Sequence, residues 1–398
     1  MTKFFENPCN IYIALLTFYS MQGTLIPTGG SILSQVILLI TMLMGLYYTI
    51  KALSLPRKPL YFSGLNLLFL VLAIYGVILL FSSHNYVVEA KSYDNEVPNY
   101  YYLKNLFLSF PNIYTFYYFS RKKYLTEDLL KKWILVFFCV AIFRFFDYRL
   151  TAIHMALLSG NDAEEVTNNM GYVFVALIPA VAVFKRSPRI QLALLIICLV
   201  FIIIGMKRGA ILVGVVSLLY YLYFNYRFNK TISRTKVILF SLLIIIAGLY
   251  ITQYMMTTSE YFNYRIESTR SGSTSGRNEL YAHFWNHFKH EQNLFRFLLG
   301  NGANATLGIG ENYAHNDWLE IAINQGVFGL FVYVFYWGCF IKTIRYTRFN
   351  KTAKLVLSLT FISFFIKTIF SMSYTGYSMM PCTVFGYYLA HCMEKDYT

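Results

Sequence analysis

Leu195-Ile-Ile-Cys-Leu-Val-Phe-Ile-Ile-Ile-Gly-Met-Lys-Arg-Gly-Ala-Ile-Leu-Val-Gly-Val-Val-Ser-Leu218 sets two apolar runs on either side of one charged pair, Lys207 and Arg208. Extended outward, each run approaches the roughly 20 mostly apolar residues that carry an α-helix through a bilayer. A turn this short makes them consecutive passes of one membrane. The pattern recurs along the chain, at 10–25, 31–50, 60–82, 100–120, 133–147, 169–184, 190–206, 209–226, 236–256, 318–341, 355–373 and 376–393. Composition agrees: 57% of the 398 residues are hydrophobic and 13% charged, against about 25% charged in soluble domains. Aromatics reach 19%, with 35 Tyr and 36 Phe, an excess expected at lipid-facing and interfacial positions.

The expected fold is therefore an all-α polytopic membrane protein of about 12 transmembrane helices. Residues 1–256 hold helices 1–9, residues 257–317 one large loop, and residues 318–398 helices 10–12. The N-terminus, opening with Lys3 and an apolar stretch, reads as a retained first span and not a removed signal. The net charge of +15 would suggest nucleic acid in a soluble protein. Here the basic residues sit in short clusters between apolar runs, so a nucleic-acid partner is excluded. Clusters such as Arg121-Lys-Lys123, Lys185-Arg186 and Lys342 to Lys354 alternate with acidic loops carrying Glu89, Glu164 and Glu260. That asymmetry expects both termini in the cytoplasm and the long loop on the outer side. Cys9, Cys139, Cys198, Cys339, Cys382 and Cys392 lie in or beside apolar segments with no C-x-x-C spacing. A disulfide framework or cysteine metal site is not expected. No internal repeat is visible, which weakens an inverted-repeat transporter.

The chemistry is sought in the long polar break, Met256 to Asp317. Ser268-Thr-Arg-Ser-Gly-Ser-Thr-Ser-Gly276 reads as a link, with Ser275 as N-cap of a helix starting near Arg277. Through Leu299 the spacing of Leu280, Phe284, Phe288 and Phe295 predicts an amphipathic helix on the membrane surface or over a cavity. Gly300-Asn-Gly302 predicts a tight turn. Tyr313-Ala-His-Asn-Asp-Trp-Leu-Glu320 then places His315 and Asp317 at the outer mouth of the tenth span, where Gly326 and Gly329 would admit a neighbouring helix. Arginine's planar fork suits phosphate, so Arg208 and Arg277 are candidates for a phosphate or pyrophosphate clamp. Arg208 also fits a headgroup anchor, and Arg265, Arg270 and Arg296 read as loop charges or headgroup contacts. Glu279, His283, His287 and His290 share a helix face, but as its polar face they need no metal. Asp147 and Arg149 suit a pair with each other or with sugar.

Together these segments resemble the O-antigen ligase and O-antigen polymerase superfamily. Lys207-Arg208-Gly209-Ala210 resembles its Ser-Arg-Gly turn, with Lys207 where the family often has Ser. Ser275-Gly276-Arg277, Trp285, Leu299-Gly300-Asn301-Gly302, Ala314-His315-Asn316-Asp317 and Gly326-Val-Phe-Gly329 follow in the family's order. The resemblance implies a GT-C-like membrane glycosyltransferase of the bacterial inner membrane. It would transfer an oligosaccharide from a polyprenyl diphosphate carrier to an acceptor glycan, with no metal and no cofactor. In that reading His315, Arg277 and Arg208 are catalytic, and Lys207, Arg265, Tyr313, Asn316 and Asp317 bind diphosphate or sugar. Asp317 or Glu320 would orient His315. Membrane lipids and a chain-length regulator are the other implied partners. A polymerase of O-antigen, capsule or exopolysaccharide is favoured over a ligase acting on lipid A-core, since no core-specific acceptor site is identifiable. A flippase would need charged spans or broken helices, for which Lys104, Arg144 and Lys367 are the main candidates.

Overall fold

In the computed structural model, residues 6–21, 31–83, 86–90, 93–158, 168–228, 234–270, 277–310, 312–375 and 379–392 are described. Among the described residues a helix overlaps each of the twelve apolar stretches: α1 (Pro8–Ser20), α2 (Ile32–Leu53), α3 (Tyr61–Leu80), α4 (Tyr100–Arg121), α5 (Glu127–Leu158), α6 (Gly171–Val181), α7 (Pro188–Ile204), α8 (Arg208–Phe228), α9 (Arg234–Thr258), and, beyond the long loop, α14 (Asp317–Tyr346), α15 (Lys351–Phe370) and α16 (Met379–His391). The loop itself contributes α10 (Glu260–Arg270), α11 (Arg277–Lys289), α12 (Leu294–Leu299) and α13 (Ala305–Gly310). Six helices, α2, α3, α8, α9, α14 and α15, are long and apolar enough to cross a membrane, while α6 and α7 are apolar but shorter. This is a multi-pass membrane protein.

The interior explains much of the aromatic excess, which was expected at lipid. The largest fully buried side chains are all Tyr or Phe, including Tyr12, Tyr61, Tyr114 and Phe116. A tyrosine can be buried when its hydroxyl finds a partner. Tyr12 donates to Asn112 Oδ1 at 2.5 Å, and Tyr114 to Asn66 Oδ1 at 2.5 Å. These bonds fasten α4 to α1 and α3. Helix α3 in turn lies against α14, where a side chain at Gly64 would meet the Tyr336 backbone at 2.8 Å. Helix α9 behaves oppositely: only 11% of its apolar window is buried, against 56% for α15. Its side chains are left for lipid.

Several expectations need correction. The fold is not purely helical. Strands β1 (Tyr86–Ala90) and β2 (Tyr93–Val97) pair antiparallel between α3 and α4, with Tyr86 opposite Val97. Tyr86 rests against Gly308 of α13, so the hairpin props the long loop. Helix α5 runs on to Leu158, past the expected end at 147, and Asp147 pairs with Arg144 at 3.6 Å, not with Arg149. The long loop opens as α10 through Arg270, while Ser275 and Gly276 lie outside the described residues. The helix expected from Arg277 to Leu299 breaks in two. Asn293 begins the second piece, its Oδ1 accepting from the N–H groups of Phe295 and Arg296, the capping that a short polar side chain supplies. Phe295 consequently leaves the apolar face and is 76% exposed.

Gly326 does not admit a helix. It takes φ 66° inside α14 and splits it into a short segment, 317–325, and the longer run that follows. A kink frees carbonyls that need new donors. The Gly300-Asn301-Gly302 turn provides them: Asn301 N–H donates to Ile323 O at 2.9 Å and Gly302 N–H to Asn324 O at 3.0 Å. Gly300 (φ 80°) and Gly326 pack backbone to backbone, leaving no room for a Cβ on either. The short segment of α14 is thereby the platform of the loop. Phe284, Ala305, Ala314 and Ile323 form a small core on it, with Leu280, Phe288, Ile309 and Leu319 packed around.

Candidate active site

The C-terminal end of α15 is where the loop meets the bundle. The last carbonyls of a helix have no partner within it, and three loop side chains take them. Arg277 Nη1 donates to Phe370 O at 3.1 Å. Asn316 Nδ2 donates to Ile369 O at 3.4 Å, and the Tyr281 hydroxyl lies 3.1 Å from the same carbonyl and 3.3 Å from His315 O. Arg277 at the start of α11 and the His315 segment before α14 are thus fixed to one point, although 38 residues separate them in sequence.

His315 sits half-buried in left-handed backbone, φ 51°. Among the described residues its ring has no hydrogen-bond partner. Burial lowers its pKa below the ordinary imidazole value, and the Arg277 and Lys207 charges lower it further. The imidazole is therefore neutral near pH 7 and able to accept a proton. That dependence also brings Lys207, on the turn between α7 and α8, into the electrostatic surroundings of His315. Beside it Arg208 Nη2 donates to Ser268 Oγ of α10 at 2.7 Å. Met206, at φ 51°, makes the turn that presents this pair. Tyr313 is half-buried, and burial followed by the Glu320 charge raises its pKa to about 12, so it remains a neutral hydroxyl.

Other candidates have different places. Asp317 is fully buried. Its oxygens accept from Ser373 N–H at 2.7 Å, Ser373 Oγ at 3.0 Å and Tyr333 OH at 2.9 Å. It holds α14 to the chain leaving α15, and none of these bonds goes to His315. Asn316 is the N-cap of α14, its Oδ1 accepting from Trp318 and Leu319 N–H at 3.0 and 3.2 Å. Glu320 does not touch the His315 ring either. It accepts from Ala314 N–H at 2.5 Å, Thr306 Oγ1 at 2.8 Å and Asn324 Nδ2 at 3.2 Å. It therefore clamps the peptide just before His315 to α13. Arg265 falls on α10, and its side chain is outside the described residues. The loop histidines bond locally, His283 Nε2 with Ile309 O at 3.2 Å and His290 Nδ1 with Asn286 O at 2.9 Å. Among the described residues, no three His, Cys, Asp or Glu side chains converge as metal ligands.

The arrangement sets a neutral proton acceptor beside fixed cations at one end of an apolar bundle. Such a site can take a proton from a hydroxyl while cations stabilise a nearby anionic leaving group. Residues 193–334 match the family model described as O-antigen ligase. Over that stretch the chain is similar to the O-antigen ligase family. The matched region holds Lys207, Arg208, Arg277 and His315, and leaves α1 to α6, α15 and α16 outside. No curated protein matches the chain. Sequence reading missed Tyr281 and Tyr172 of α6, neither of which belongs to a quotable motif. It treated Lys367 of α15 as an isolated charge, whereas its Nζ lies 5.3 Å from the Tyr172 ring centre.

Proposed function

We propose that this protein is a membrane polysaccharide polymerase, extending carrier-linked glycan on the outer side of the bacterial cytoplasmic membrane. The observation that carries the reading is the neutral, unbonded His315 ring within reach of the Arg277 and Lys207 charges. An acceptor sugar hydroxyl gives its proton to His315 as its oxygen attacks the anomeric carbon of the donor. The bond from that carbon to the carrier phosphate breaks, and the polyprenyl diphosphate leaves with one more negative charge. Arg277, Arg208 and Lys207 offset that charge in surroundings where water screens it poorly. Twelve spans, with both termini cytoplasmic, would put this site on the outer face.

The test is reconstitution of the purified protein with a diphosphate-linked repeat unit. A ladder of longer lipid-linked glycans is expected. Transfer only to lipid A-core would replace the polymerase with a ligase, and movement between leaflets without a new glycosidic bond would reject both.

Titration of His315 gives a second test. A lowered imidazole pKa predicts kcat/KM that is level through pH 7 and falls only below the ordinary histidine range, about 6.5, as the ring protonates. Removing a neighbouring cation makes the imidazolium easier to form. Lys207→Met is therefore expected to move the acid limb to higher pH. An acid limb that stays in place, or moves down, would separate Lys207 from His315.

A further inference from the structure

Among the described residues, Lys367 is a cation near the site that none of the motifs quoted above contains and no reaction step above uses. It lies on α15, one turn before Phe370, whose carbonyl holds Arg277. Its Nζ stands over the Tyr172 ring at 5.3 Å, and the charge of Arg277 reaches the same tyrosine. The Tyr172 hydroxyl meets Gly209, next to Arg208, which returns to the Lys207-Arg208 turn. Lys367, Arg277 and that turn are thus gathered around Tyr172. Among the described residues Lys367 Nζ makes no hydrogen bond or ion pair. Asp317, an acid whose charge acts on it, is not its ion-pair partner and already accepts from Ser373 and Tyr333. An ammonium in a membrane helix without an acceptor is costly unless it serves a ligand. An aromatic face offsets only part of that cost.

We propose that Lys367 completes a diphosphate site, binding the phosphate of the lipid-linked donor that Arg277 does not hold. The inference rests on the donor reading above. Lysine is a compact point charge with three donors, suited to a phosphate whose charge grows as the glycosidic bond breaks. Arg277 fixes one end of the group from the loop, Lys367 the other from the bundle. The donor's diphosphate then bridges the two and draws the loop onto α15.

The experiment uses the full-length protein in detergent, titrated calorimetrically with inorganic pyrophosphate, for wild type, Lys367→Met, Lys367→Arg and Arg277→Ala. Methionine keeps the length and apolarity of the lysine stem, so the helix is spared. Pyrophosphate affinity should fall about tenfold or more in Lys367→Met and recover to within a few fold in Lys367→Arg. In turnover the donor KM should rise while the acceptor KM does not. Unchanged pyrophosphate affinity in Lys367→Met, with affinity lost in Arg277→Ala, overturns the role of Lys367 and leaves the donor reading standing. Wild-type protein that binds no pyrophosphate, or two variants that both bind it normally, overturns both together. If Lys367→Met fails to fold, Lys367→Gln replaces it with the same expected loss.

Discussion

Replacing His315 should abolish glycan transfer while the protein still inserts and folds. Positioned general bases contribute typically 10² to 10⁴ in rate, so product should fall by about that factor. The choice of substitution matters, because His315 occupies left-handed backbone at φ 51°. Alanine is strained there, and Asn, Asp and Gly are the residues that tolerate it. A loss in His315→Ala would therefore mix missing chemistry with a distorted loop. His315→Asn accepts the same backbone and keeps polarity, yet has no group that takes a proton near pH 7. The Tyr281 hydroxyl contact at 3.3 Å is to the His315 carbonyl, which both variants retain. His315→Asn should lose transfer and keep pyrophosphate affinity, measured by calorimetry beside product on a gel. Transfer within a few fold of wild type in His315→Asn would remove the imidazole from the mechanism.

How far sequence reading reaches depends on what enforces each feature. Apolar stretches are legible because a bilayer penalises every exposed polar group, and a helix stands over each one. The β-hairpin is not, because five-residue strands such as Tyr86–Ala90 satisfy their own backbone in water and leave only a short alternation. The kink at Gly326 shows the same limit. Within Asn-Gln-Gly-Val-Phe-Gly329 the glycine looks like a close-packing position on a helix. Its positive φ comes from the Gly300–Gly302 turn, whose N–H groups take the carbonyls of Ile323 and Asn324. At the site, Arg277 and His315 stand out because their neighbours form recognisable segments. Asp317 and Glu320 share a segment with His315, and sequence proximity misassigns them. A helical turn points each carboxylate away from the ring, Asp317 toward Ser373 and Glu320 toward Ala314 and Thr306. Lys367 joins the cluster only because α15 returns to the loop, and no local pattern records that.

Arg277→Ala should cost transfer nearly as much as the loss of His315, by a different route. Removing one preorganised donor to a developing anion costs about 10² to 10³ in rate. Of the five N–H donors on a guanidinium, one goes to Phe370 O at 3.1 Å. The others are what the proposed clamp uses. Arg277 also ties α11 to α15, and a purely structural role would slow transfer too. Stability separates the two. Losing one hydrogen bond to a helix-end carbonyl costs about 1 kcal/mol, a shift of a few degrees in a thermal melt. Arg277→Lys keeps the charge without the fork, and should recover only part of the rate. A third readout works on inactive protein. Arg277 is one of the charges that hold the His315 pKa down, so its removal must raise that pKa. In Arg277→Ala, modification of His315 by diethyl pyrocarbonate, followed by mass spectrometry, should require higher pH than in wild type. A variant that loses transfer with His315 titrating as before would show that Arg277 acts on the loop's shape and not through its charge at the site.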